Sequence, residues 1–83
     1  MARFRLQVQV MPKPEILDPA GEATLSVLQR LGYPVSGVRI GKHIVVEIEA
    51  PDADEARELG QQMARRLLAN PVMEHFGIEV DPV

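Results

Sequence analysis

Val35-Ser-Gly-Val-Arg-Ile-Gly-Lys-His-Ile-Val-Val-Glu-Ile-Glu-Ala50 alternates apolar and polar residues on either side of a glycine. It predicts two β-strands folded back on each other at Gly41-Lys42. Val38 and Ile40 precede the turn; Ile44, Val46 and Ile48 follow it, two apart, and so share one sheet face. Arg39, Glu47 and Glu49 point the other way. A strand and a helix precede this hairpin, and a helix and a strand follow it.

Upstream, Phe4, Leu6, Val8 and Val10 alternate with Arg3, Arg5, Gln7 and Gln9, the pattern of a half-buried strand that Pro12 and Pro14 stop. Asp18-Pro19 opens the first helix, with Asp18 as N-cap and proline where its missing N–H costs nothing. Ala20, Ala23, Thr24, Val27, Leu28 and Leu31 form its apolar stripe, centred on Leu28, and Gly32 is suited to the C-cap. Downstream, Pro51 breaks the strand and Asp52 caps a second helix, with Glu55 at capping-box spacing. Ala56, Leu59, Gly60, Met63 and Leu67 make its stripe. Gly60 costs roughly 1 kcal/mol relative to alanine, and close packing on the sheet is the expected return. Asn70-Pro71 ends this helix. Val72–Phe76 is expected as a short helical turn and Gly77–Val80 as the last strand. The order β-α-β-β-α-β predicts an α+β, ferredoxin-like domain over residues 1–83: a four-stranded antiparallel sheet with both helices on one face.

A chain of 83 residues leaves much apolar surface near water. It has no cysteine, which excludes disulfides and thiolate metal sites, and His43 and His75 are too few for a histidine site. Oligomerisation is left as the source of stability, at least a dimer, with strand exchange between copies among its routes. Nine basic and twelve acidic residues give a charge of −3, against a general nucleic-acid binder. Phe4, Tyr33 and Phe76 offer no stacking platform. No apolar run approaches the ~20 residues of a membrane span, and the first residues lack the apolar core of a signal peptide. A cytoplasmic protein is expected.

No catalytic constellation emerges. Gly37–Lys42 has three residues between its glycines, His43 after the lysine and no following helix, so it is not a phosphate loop. Glu47 and Glu49, roughly 7 Å apart along a strand, lack the loops that would build a pocket around a carboxylate pair. The two histidines have no partnered nucleophile.

Four segments carry a family likeness: Pro12-Lys13 with Ile16–Gly21; Leu28–Gly32; Val38–Lys42; and Leu67–Glu74 with Phe76 and Ile78-Glu79. In this order and spacing they resemble the PurS family, the small subunit of phosphoribosylformylglycinamidine synthase, over nearly the whole chain. Ala20 departs from the glutamine often found there. The resemblance implies a role in de novo purine synthesis, where formylglycinamide ribonucleotide, ATP and glutamine give formylglycinamidine ribonucleotide. A glutaminase subunit releases ammonia, and a large synthetase subunit binds ATP and Mg. The small subunit is implied to be a dimeric adaptor that joins the other two and assists ammonia transfer, with no cofactor or catalytic residue of its own. Arg39, Lys42 and Asn70, polar positions near the hairpin and the second helix's end, are the expected partner contacts. From another class, ferredoxin-like modules of this size also serve as regulatory ligand-binding domains, a fold-level analogy.

Overall fold

A computed structural model describes all residues, 1–83. The order is β1 (Ala2–Pro12), α1 (Pro19–Arg30), β2 (Lys42–Ala50), α2 (Ala53–Met63) and β3 (Glu74–Pro82), with one turn of π-helix, Ala64–Leu68, continuing α2. The sheet is antiparallel with β1 at its centre, order β2-β1-β3. In β1 the alternation becomes burial: Phe4, Leu6, Val8 and Val10 form the core row. In register, Leu6 lies between Val46 and Val80, and Val8 between Ile44 and Ile78. α2 covers this face and supplies Ala56 and Gly60 as its buried residues. A Cβ on Gly60 would stand 3.0 Å from Leu6 Cδ1 and 3.3 Å from Ile78 Cδ1. The missing side chain is what lets the helix lie this close.

Both predicted caps form. Asp18 accepts from Gly21 N–H at 3.0 Å, and Asp52 accepts from Glu55 N–H at 2.8 Å. Gly32 follows α1 at φ 96°, where an L side chain would be strained.

The predicted four-stranded sheet is corrected to three strands, because Val35–Ile40 forms no strand. Ile40 N–H donates to the Asp18 carboxylate, not to a ladder. Gly41 lies so close to the Val10 carbonyl that a Cβ would overlap it. Val38 and Ile40 do alternate, but the Ile40 N–H is taken by a side chain from outside the segment. The placement of both helices on one face is also corrected. α1 has at most isolated contacts with the sheet and α2. Leu28 is only half-buried, and Val27 and Leu31 are exposed. The Lys13–Asp18 connection carries α1 past the end of the sheet, where it runs beside its own return segment. Together they make an arm, residues 19–41.

The arm gives the molecule its shape. Extents are 52 × 26 × 14 Å and the radius of gyration is 16.2 Å, against about 12 Å for a compact chain of this length. No helix is long and apolar enough to cross a membrane.

Two further differences concern the last third of the chain. In the π-turn Ala69 N–H reaches Ala64 C=O at 2.9 Å, and the extra residue shifts the phase of the stripe. Ala64 and Ala69 are buried and Leu68 half-buried, while Leu67, expected inside, is 83% exposed. Glu74–Phe76, expected as helix, belongs to β3, since pairing with Val10–Pro12 satisfies its backbone across the sheet.

Candidate partner-binding surfaces

The loops at the C-terminal end of β1 bring three of the four family-like segments together. Lys13 N–H donates to Met73 C=O at 2.9 Å, stitching the Lys13–Asp18 loop to the Asn70–Met73 turn. Arg39 Nη2 donates to Lys13 C=O at 2.7 Å and to Ile16 C=O at 3.0 Å. Asp18 Oδ2 accepts from Ile40 N–H at 2.8 Å while Oδ1 caps α1. A Cβ on Gly21 would collide with the Val38 carbonyl, so glycine permits the crossing of helix start and return segment. The Gly21 N–H, then the Ile40 N–H, holds the Asp18 carboxyl below its ordinary value of 3.8. Burial opposes that shift and the Arg39 charge adds to it.

The three expected contact residues lie around this cluster in different states. Arg39 is exposed, yet its guanidinium is bent onto backbone carbonyls and shapes the loop. Lys42 opens β2 opposite Val10, exposed and without a side-chain hydrogen bond. Asn70 organises a turn: its Oδ1 accepts from Val72 N–H at 3.0 Å, and its own N–H donates to Glu74 Oε1 at 2.8 Å. Asn70 and Glu74 line a cleft of about 270 Å³ with Asp18, Ile16 and Leu17. Beside it Leu17 and Val72 are about three-quarters exposed. These apolar tips had no signal in the sequence, where each sits in a polar, proline-rich loop.

A second surface is the groove between β2 and α2, about 480 Å³, floored by Ile48, Leu59, Met63 and Leu68 and edged by Leu67. Its polar residues, Glu49, Gln62 and Arg66, are all exposed on the rim and do not converge on a point. A ligand site of this volume normally aims a few polar groups inward. The uncovered face of α1, with Val27 and Leu31, is a third apolar surface.

The open face of the sheet is polar. Arg5 Nη2 meets Glu47 Oε2 at 3.1 Å, and Gln7 Nε2 donates to Asp81 Oδ2 at 2.7 Å. Glu49 stands opposite Arg3 in register. Glu47 and Glu49 are therefore members of a cross-strand charge ladder.

What these surfaces share is that they present side chains outward, and the known proteins that the chain resembles are subunits. The family model for PurS, phosphoribosylformylglycinamidine (FGAM) synthase, matches residues 5–82. The phosphoribosylformylglycinamidine synthase subunit PurS of Synechocystis sp. is 45% identical over 78 residues, 93% of this chain and 78% of that one. Thermus thermophilus PurS superposes with a TM-score of 0.87 at 39% identity, covering 98% of each chain. A chain from the structure of PurLQS from Thermotoga maritima superposes with a TM-score of 0.86 at 34% identity over the full length of both. Sequence and fold thus agree over nearly the whole chain, which belongs to the PurS family.

Proposed function

We propose that this chain is the non-catalytic adaptor subunit of phosphoribosylformylglycinamidine synthase in purine biosynthesis. The observation that carries this is the full-length likeness to a chain of a PurLQS assembly, combined with three apolar surfaces the chain leaves uncovered. Its partners are the synthetase subunit, which holds ATP and Mg, and the glutaminase subunit, in the cytoplasm. Ammonia released into water is diluted and largely protonated near neutral pH. It serves the synthetase only if the two active sites are held together, and an adaptor raises the effective concentration of one near the other without new chemistry.

The chain works as a homo-oligomer, at least a dimer. α1 is amphipathic yet covers no face of its own sheet, and the groove beside β2 has the apolar floor such a helix needs. Packing α1 of one copy on the groove of another covers both surfaces. Lys42 and Asn70, both exposed, are the proposed contacts with the larger subunits, and Arg39 shapes the Lys13–Asp18 loop through its bonds to Lys13 and Ile16.

The test is co-assembly. The chain is mixed with purified synthetase and glutaminase and run in sedimentation velocity with glutamine present. A ternary species that forms only when all three are present supports the adaptor; the same synthetase–glutaminase association without the chain counts against it. Titration of the isolated chain with amino acids, followed by calorimetry, should give no heat; saturable binding would favour the regulatory module instead.

A further inference from the structure

We infer that Asp18 is the positioning residue for the arm: its carboxylate, and not packing against the sheet, fixes the direction in which residues 19–41 project. The arm is tied to the sheet domain at its root, where Asp18, Arg39 and Gly41 meet the Lys13–Asp18 loop and the end of β1. α1 itself has no extended contact with any strand or with α2, so its direction is set at the root. There, the carboxylate of Asp18, a buried residue, takes two N–H donors from the two limbs of the arm, Gly21 on the helix and Ile40 on the return segment. Arg39, next to Ile40, straps the same return segment to the carbonyls of Lys13 and Ile16. The crossing needs Gly21 and Gly41, since a side chain at either would strike the backbone of the opposing limb or strand. Hydrogen bonds to an ionised acceptor are the stronger kind, and here both oxygens are used. The arm carries Val27, Leu31 and Tyr33 to its exposed surface, so Asp18 governs where the chain offers them, whichever copy or subunit receives them.

Asp18→Asn separates this role from helix capping. Asparagine caps a helix as well as aspartate does, so α1 keeps its start. The amide nitrogen that replaces one oxygen donates and cannot accept, so the link to Ile40 N–H is lost. The chain has no cysteine, so Ser26→Cys on α1 and Glu58→Cys on α2 can be spin-labelled without interference. Labelled chain is diluted with excess unlabelled chain, so that only distances within one copy are read. We expect a single narrow distance in the parent and a broad distribution in Asp18→Asn. Exchange of the Ile40 amide should quicken by roughly tenfold or more, the loss of one charge-assisted bond, while the Leu6 and Val8 amides stay protected. Arg39→Gln, which leaves the cap untouched, should broaden the distribution in the same direction. An unchanged narrow distance in Asp18→Asn would overturn the inference. So would loss of protection at Leu6 and Val8, because Asp18 would then support the sheet and not the arm.

Discussion

The contact between α2 and β1 sets up a double-mutant cycle whose sign follows from the geometry. Leu6 is completely buried at the centre of the sheet, beneath Gly60. Leu6→Ala should cost about 3 kcal/mol, within the range for buried leucines. The whole chain is stabilised by about 4–12 kcal/mol at its length, so the loss is a large share and lowers the melting temperature by about 10–25 °C. Gly60→Ala acts in two opposing ways. It gains about 1 kcal/mol of helix propensity. Its methyl would also stand 3.0 Å from Leu6 Cδ1, and overpacking of this kind costs about 1–3 kcal/mol, leaving a net loss of about 0–2. In the Leu6→Ala background the clashing atom is gone. Ile78 Cδ1 at 3.3 Å remains, but the new methyl enters space the leucine vacated. Gly60→Ala should therefore stabilise the Leu6→Ala protein, with a favourable coupling of about 1–2 kcal/mol. Urea unfolding followed by far-UV circular dichroism, at one protein concentration, gives all four corners. Additivity within about 0.5 kcal/mol would refute the close approach at Gly60.

Asp18 has a folded value below its ordinary one, so its contribution is present above the unfolded-state value and is lost as pH falls through the lowered folded value; acid unfolding of Asp18→Asn should show a shallower slope below about pH 4. Arg5 and Glu47 form an ion pair about half exposed on both sides, so Glu47→Gln should change stability by under about 1 kcal/mol, less at high salt. Leu28 is half-buried on the arm, so Leu28→Ala should cost well below the roughly 2–5 kcal/mol of a core leucine in dilute chain. It should weaken self-association as read by sedimentation equilibrium; an unchanged dissociation constant would mean that α1 faces no second copy.

Most elements were legible because their causes are local. The alternation of Phe4 to Val10, the carboxylates of Asp18 and Asp52 before their helices, and Gly32 after α1 all act within a few residues of themselves. Gly60 was legible as a cost that needed a return, and Leu6 and Ile78 supply it. What failed depends on distant partners. Val38 and Ile40 alternate like a strand, but the donor at Ile40 is claimed by a carboxylate 22 positions away. The stripe on α1 shows that the helix has an apolar side; it does not show that the side belongs on its own sheet. Leu67 faces outward because one wide turn shifts the phase after Met63. Asp18 was legible only as a cap, although a glycine in the first turn of a helix, Gly21, was a sign that another backbone passes close by. Lys42 was placed on an open surface by the sequence, whereas the inward bend of Arg39 onto two carbonyls could not be read without the loop those carbonyls belong to.

The adaptor role proposed for this chain is to join two catalysts without chemistry of its own. Its most direct test is glutamine-dependent formation of formylglycinamidine ribonucleotide by purified synthetase and glutaminase, with ATP and Mg, measured with and without this chain. Turnover should rise on adding it and saturate once the partners are fully assembled. Turnover driven by added ammonium salt, which bypasses the glutaminase, should depend on it far less. Glutamine-dependent turnover that is the same without the chain would mean that it is not the adaptor.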